Sequence, residues 1–109
     1  MKPCLLFITC KNQEEADNIS NILLQKKLVS CIKKIPIDSS YLWNKKIESN
    51  KEILMIMDSI EDNFQLIDEE IKKLHSYDVY TLFMTKIDKV NKKALSWLKQ
   101  ELIPFSQSP

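Results

Sequence analysis

The chain has 109 residues, a net charge of +1 and 28% charged residues, which is typical of one soluble globular domain. All sixteen basic residues are Lys, and Gly is absent. Because phosphate clamps rely on the Arg fork and phosphate loops on Gly, this composition argues against nucleotide-binding and phosphoryl-transfer enzymes. The small net charge gives no reason to expect nucleic acid or an anionic membrane as a partner.

The hydrophobic pattern predicts strands from continuous apolar runs, and helices from apolar residues spaced three and four apart. Asn12 followed by Glu15 predicts a capping-box-like start for the first helix. Without Gly, tight turns must place Asn, Asp, Ser or Lys at positive φ. In chain order the predicted elements are a strand over 4–10, a helix over 13–27, a hairpin with arms over 28–43 and 46–57 and a turn at 44–45, a helix capped by Ser59 that runs to 74, a strand over 79–87 and a helix over 91–102.

The order β-α-β-β-α-β with a closing helix is that of the α+β, ferredoxin-like split-βαβ fold. This fold has an antiparallel sheet with helices packed on one face. No linker, repeat or low-complexity segment interrupts the chain, so we expect a single domain over 1–109. Pro104 is expected to end the last helix, and the tail over 105–109 is expected to be loose.

Five short motifs, in order and at matching spacing along nearly the whole chain, resemble the CutA divalent-cation-tolerance family. They read LVSCI over 28–32, SSYLW with KIE over 39–48, EILMI over 52–56, HSYDV over 75–79 and LSWL over 95–98. The resemblance implies a homotrimer whose hairpins interlock, with an architecture shared with PII-like signalling proteins. It also implies a link to tolerance of divalent metals, copper especially, and no established catalytic reaction.

Some positions depart from the family pattern. Lys45 stands where the family usually has Gly, and Asp58 stands where it has Lys. Tyr80 and Thr81 replace a Pro-Glu pair. The lost Lys and Glu belong to the family's polar cleft between subunits, so the usual ligand of that cleft is not carried over to this chain.

Cys31, His75 and Asp78 are the predicted metal ligands. Imidazole and thiolate suit copper, and Asp78 adds an oxygen donor three residues after His75. A structural interpretation competes for each of the first two. His75 fits a helix C-terminus, where the dipole favours it, and Cys31 fits simple packing on its strand. Cys4 and Cys10 share one face of an apolar strand and are predicted to be core residues. Copper or another divalent metal is the expected cofactor, and none is needed for folding.

Tyr41 and Trp43 lie on one face of the predicted hairpin, and we expect them at a subunit interface. Three cysteines without a C-x-x-C pair indicate a reducing compartment, hence a cytoplasmic protein, and no stretch reaches membrane-spanning length.

The favoured hypothesis is a trimeric small-ligand or metal-binding protein linked to copper tolerance. It is not an enzyme and binds neither nucleic acid nor membrane. The alternative is a PII-like trimeric regulator or scaffold, which binds a metabolite or a partner protein without metal. An acyl-phosphate hydrolase is disfavoured because the chain has no Arg for an anion cradle.

Overall fold

The computed structural model describes residues 1–102, which form an antiparallel sheet of four strands in the order β2-β3-β1-β4 together with three α-helices. This arrangement confirms the predicted ferredoxin-like α+β fold. The predicted stop at Pro104 and the predicted tail lie outside the described residues. The strands are β1 (Pro3–Cys10), β2 (Cys31–Trp43), β3 (Lys46–Ile60) and β4 (Phe83–Lys86); the helices are α1 (Gln13–Gln25), α2 (Phe64–Leu74) and α3 (Lys92–Glu101), with one 3-10 turn over Glu61–Asn63 before α2.

The main hydrophobic core lies between one face of the sheet and the helices α1 and α2. Alternate residues of β1 are buried, from Cys4 to Cys10, so both cysteines are core residues as predicted. Helix α3 packs separately, against the end of β3 at Ile60. The remaining members of the main core are Leu6, Ile8, Ala16, Ile19, Leu23, Leu28, Val29, Met55, Met57, Ile67 and Ile71.

The β2–β3 hairpin extends well beyond the rest of the sheet. Strand β1 pairs with β3 only as far as the Cys10–Ile53 pair, whereas β2 and β3 stay paired to the turn. Residues 37–52 therefore form a two-stranded ribbon about 20 Å long, at roughly 3.4 Å per residue. Asn44 and Lys45 form the predicted turn with φ of 53° and 64°. Since Lys carries a Cβ, its left-handed conformation costs about 1 kcal/mol that Gly would avoid.

Two predicted helix boundaries are wrong: the start of the second helix and the end of the first. Ser59 does not cap a helix, because β3 continues through Ile60. The Ser59 hydroxyl instead donates to the Leu28 carbonyl oxygen at 2.6 Å. Helix α1 ends at Gln25 rather than at residue 27, and Lys27 follows with φ of 58°.

The strand predicted over 79–87 is shorter than expected, because only Phe83–Lys86 pairs with β1. The preceding segment is held by side-chain packing instead. The ring of Tyr80 stacks on that of His75, and its hydroxyl donates to Asp68 on α2. Within residues 1–102, none of the helices combines the length and the apolar character needed to cross a membrane.

Candidate functional site

Within one chain, the structure separates two of the three predicted metal ligands. Cys31 begins β2 and pairs with Asp58, whereas the His75 ring contacts the Thr9 carbonyl oxygen at the far end of β1. Leu5 of β1 also pairs with Asp58. Cys31 therefore lies two strands across and four residues along from Thr9, a separation of about 16 Å at normal sheet spacings.

The third predicted ligand, Asp78, is exposed and lines a shallow pocket of about 420 Å³ between α2 and the segment that follows it. Asp68, Lys72 and Tyr80 line the same pocket. Burial, and then the hydrogen bond to Asp68, raise the pKa of Tyr80 to about 12. Thr81, the other changed residue of this segment, is exposed.

The His75 imidazole is fully buried, and both of its nitrogens are hydrogen-bonded. Nδ1 accepts the backbone N–H of Tyr77 at 3.0 Å, and Nε2 lies 2.9 Å from the Thr9 carbonyl oxygen. A carbonyl can only accept and a backbone N–H can only donate, which assigns the proton to Nε2. The ring is therefore in the Nε2–H form, enclosed by the rings of Tyr77 and Tyr80 at 5.0 and 5.1 Å.

A buried carboxylate, that of Glu15, lies beside this ring. Its Oε1 accepts the Lys11 backbone N–H at 3.0 Å, and its Oε2 accepts the Ser76 backbone N–H at 2.8 Å. Burial works against ionisation, but the hydrogen bonds from Ser76 and Lys11, and the nearness of His75, hold the pKa of Glu15 below its ordinary value. An ionised Glu15 thus ties the β1–α1 turn to the segment after α2.

Cys10 completes a group of three donors. One ligand atom each from Cys10, Glu15 and His75 lies within 4.8 Å of the others, and we refer to these residues as the Cys10–Glu15–His75 cluster. Burial, followed by the charges of Glu15 and Glu52, raises the pKa of the Cys10 thiol to about 12. Glu52 is itself buried and accepts the hydroxyl of Tyr77 at 2.8 Å. Sulfur, nitrogen and oxygen donors together suit zinc and copper.

The two predicted interface residues lie on the projecting ribbon. Tyr41 is 39% exposed and Trp43 is 52% exposed. Their neighbours Leu42 and Ile47 are 75% and 78% exposed. Such a group of large apolar side chains on a two-stranded ribbon is unusual for an isolated chain.

The model of the CutA1 divalent ion tolerance family matches residues 4–101. The chain belongs to the CutA1 family. It is 34% identical over 95 residues to the divalent-cation tolerance protein CutA of Archaeoglobus fulgidus, with 87% of this chain and 93% of the relative covered. It is 31% identical over 99 residues to CutA of Thermotoga maritima, with 91% and 98% covered.

Solved CutA1 structures have the same fold. The structure of the periplasmic divalent cation tolerance protein CutA from Archaeoglobus fulgidus has a TM-score of 0.89 at 32% identity, with 91% of this chain and 97% of that chain covered. CutA1 from Oryza sativa has a TM-score of 0.91 at 28% identity, with 94% and 95% covered. The predicted family and fold are thereby confirmed.

Two members of the cluster, Cys10 and Glu15, were not predicted as metal ligands from the sequence alone. Cys10 fits the core alternation of β1, and Glu15 fits a capping box. The cap exists, because Asn12 accepts the Glu15 backbone N–H at 2.9 Å. However, the Glu15 side chain reaches Lys11 and the segment after α2 rather than the Asn12 backbone. The one available signal was the position of Glu15 four residues before the core residue Ile19, which places it on the buried face of the helix.

Proposed function

We propose that the protein is a single-domain homotrimer that binds divalent cations and contributes to their tolerance. Membership of the CutA1 family supports the link to divalent cations. The observation that best supports the assembly is the ribbon over 37–52, in which β2 and β3 pair with each other but with no third strand of the described chain. Unpaired strand edges and exposed Leu42, Trp43 and Ile47 favour association, and a closed ring pairs every edge.

Light scattering at micromolar concentration tests the trimer. We expect a mass three times that of the chain. A monomer at that concentration would refute the assembly, whereas the fold and the family would stand.

Copper is the proposed cation, with Cys31, His75 and Asp78 as the ligands indicated by the sequence. Cys31 is a half-buried free thiol, and Asp78 is exposed. Because Cys31 lies about 16 Å from Thr9, the residue that the His75 ring contacts, a site that uses both Cys31 and His75 would span two subunits of the trimer. Calorimetry with copper on the wild type, Cys31→Ser and His75→Ala tests this set. Identical binding by all three proteins would exclude both residues as ligands.

A binding role without catalytic turnover is supported by the surroundings of His75, the one histidine in the chain. In the metal-free protein both ring nitrogens are engaged by backbone groups, so the ring offers no free base to a substrate. We expect no turnover of acyl phosphates, nucleotides or peptides. Saturable hydrolysis that is abolished by a point mutation would overturn this. The proposed cytoplasmic location rests on the free cysteines, and cell fractionation tests it.

A metal-independent regulator, similar to PII proteins, is the second candidate. It is favoured by a pocket of about 410 Å³ at the base of the ribbon, where polar groups of Lys11, Asn12, Lys51 and Glu52 meet. A thermal-shift screen of metabolites in the presence of a chelator tests this function. Specific stabilisation without metal would favour the regulator over the cation-binding protein.

A further inference from the structure

We propose that the Cys10–Glu15–His75 cluster is a binding site for one borderline-soft divalent cation, of which Zn²⁺ is the typical example. This inference names a site for the proposed cation-binding function and rests on that function. It replaces Cys31 and Asp78 by two donors that the fold brings to His75 within a single chain.

The charge of the cluster favours a cation. The carboxyl groups of Glu15 and Glu52 are both buried, and Glu52 precedes Ile53, the β3 residue that pairs with Cys10. Among the residues that the structure describes, no Lys forms an ion pair with either carboxylate. Negative charge that is shielded from water and lacks a basic partner is stabilised most by a bound cation, because the local dielectric is low.

The geometry is close to that of a metal site. Ligand atoms around tetrahedral zinc, with bonds of about 2.0–2.3 Å, lie roughly 3.3–3.8 Å apart. In the cluster, His75 Nε2 lies 3.9 Å from Glu15 Oε1, and all three donors lie within 4.8 Å. A contraction of up to about 1 Å therefore closes the site around zinc. The Thr9 carbonyl oxygen, 2.9 Å from Nε2, offers a fourth donor.

The carboxylate is already oriented for this role. The backbone N–H groups of Lys11 and Ser76 hold one oxygen of Glu15 each, as outer-shell hydrogen bonds commonly do for metal ligands. Thiolate and imidazole donors disfavour Mg²⁺ and Ca²⁺, which prefer oxygen alone.

Metal binding is coupled to the release of one proton. The Cys10 thiol releases its proton to solvent as the sulfur–metal bond forms, and the resulting thiolate and the Glu15 carboxylate together neutralise the dication. His75 binds through the lone pair of Nε2, so its ring proton moves to Nδ1 by exchange with solvent. Nδ1–H then faces the Tyr77 backbone N–H, which loses its acceptor. Metal binding should therefore release the Tyr77 amide from its present hydrogen bond.

Co²⁺ titration of the chelator-treated, full-length protein tests the site, because thiolate-bound Co²⁺ has a near-ultraviolet charge-transfer band. We expect the band in the wild type and in Cys31→Ser, a matched loss of a thiol at the other end of the sheet. Cys10→Ser should abolish the band, and Glu15→Gln should weaken Zn²⁺ binding at least tenfold. The double variant Cys4→Ser/Cys31→Ser leaves Cys10 as the only thiol and should keep the band, which makes the test independent of whether Cys10→Ser folds.

The outcomes separate this inference from the function on which it rests. A band that disappears in Cys31→Ser but persists in Cys10→Ser would refute the cluster and retain cation binding. Metal binding without any thiolate band would also refute the cluster alone. Failure of the wild type to bind Co²⁺, Zn²⁺ or copper would refute both. As a second readout, amide exchange at Tyr77 should accelerate when Zn²⁺ binds, and an unchanged rate would contradict the proposed ring-proton shift.

Discussion

Replacing Glu15 by Ala removes the carboxylate that joins the β1–α1 turn to the segment after α2. Two backbone N–H groups, those of Lys11 and Ser76, then lose their acceptor. A hydrogen bond to a charged group contributes about 1.5–3 kcal/mol when buried and less where water can replace it. Lys11 and Ser76 are both exposed, so each bond counts at about 1 kcal/mol. We expect Glu15→Ala to lower the free energy of unfolding by about 2 kcal/mol.

Urea unfolding followed by Trp fluorescence measures this loss, with all proteins at one concentration because assembly contributes to stability. Glu14→Ala is the matched control. Glu14 lies in the same first turn but is exposed, so only its interaction with the helix dipole is lost, at about 0.5 kcal/mol. If Glu15→Ala is no less stable than Glu14→Ala, the two backbone hydrogen bonds do not stabilise the fold as argued.

The effect of Glu15 should depend on pH with a defined sign. Because the folded-state pKa of Glu15 lies below the ordinary value of 4.5, the ionised form stabilises the fold fully above that value. The contribution is lost as the pH falls through the folded-state pKa. The difference in unfolding free energy between the wild type and Glu15→Gln should therefore shrink below about pH 4.5. A difference that grows with acidity would contradict this reasoning.

Three further changes test other parts of the molecule. Lys45→Gly should raise the free energy of unfolding by about 1 kcal/mol, because Lys45 has a φ of 64° and Gly adopts this conformation without the steric cost of a Cβ. A lower stability of this variant in urea unfolding would refute the prediction. The double change Tyr41→Ala and Trp43→Ala should weaken the proposed trimer by roughly 5 kcal/mol per subunit, because each half-exposed aromatic can bury about 100 Å² more at about 25 cal/mol per Å². Light scattering across a dilution series would show it, and an unchanged trimer removes both residues from the interface. Glu70→Gln should lower the free energy of unfolding by up to about 1 kcal/mol near neutral pH, because the Lys26 hydrogen bond lowers the pKa of Glu70. Thermal melts at several pH values should show that this loss disappears in acid, and a loss that does not depend on pH would contradict the role of the Lys26–Glu70 pair.

The order of helices and strands could be predicted from the sequence because each element buries one face against a common core. Alternation over Cys4–Cys10 and the apolar stripe from Phe64 to Ile71 follow directly from the geometry of a strand and a helix. The turn at 44–45 was predictable for a similar local reason. The chain has no Gly, and Asn tolerates a positive φ better than most other residues. Local rules of this kind need no knowledge of which elements meet.

Tertiary contacts decided the features that the sequence alone predicted wrongly. Ser59 has the chemistry of a helix cap, but the Leu28 carbonyl oxygen satisfies its hydroxyl across the fold, so β3 continues. Tyr80 has the propensity of a strand residue, but its ring stacks on His75 and takes the chain out of the sheet. Propensity is too weak to outweigh such contacts.

The candidate site shows the same division. The sequence alone singled out His75, because it is the one histidine of the chain and imidazole suits copper and zinc. It could not supply the partners of that ring, which contacts Thr9 across 66 residues of chain and lies beside Cys10 and Glu15. Which end of β1 meets the end of α2 depends on how the helices pack on the sheet. Distance along the chain carries no information about that packing, so only the tertiary structure could bring these donors together.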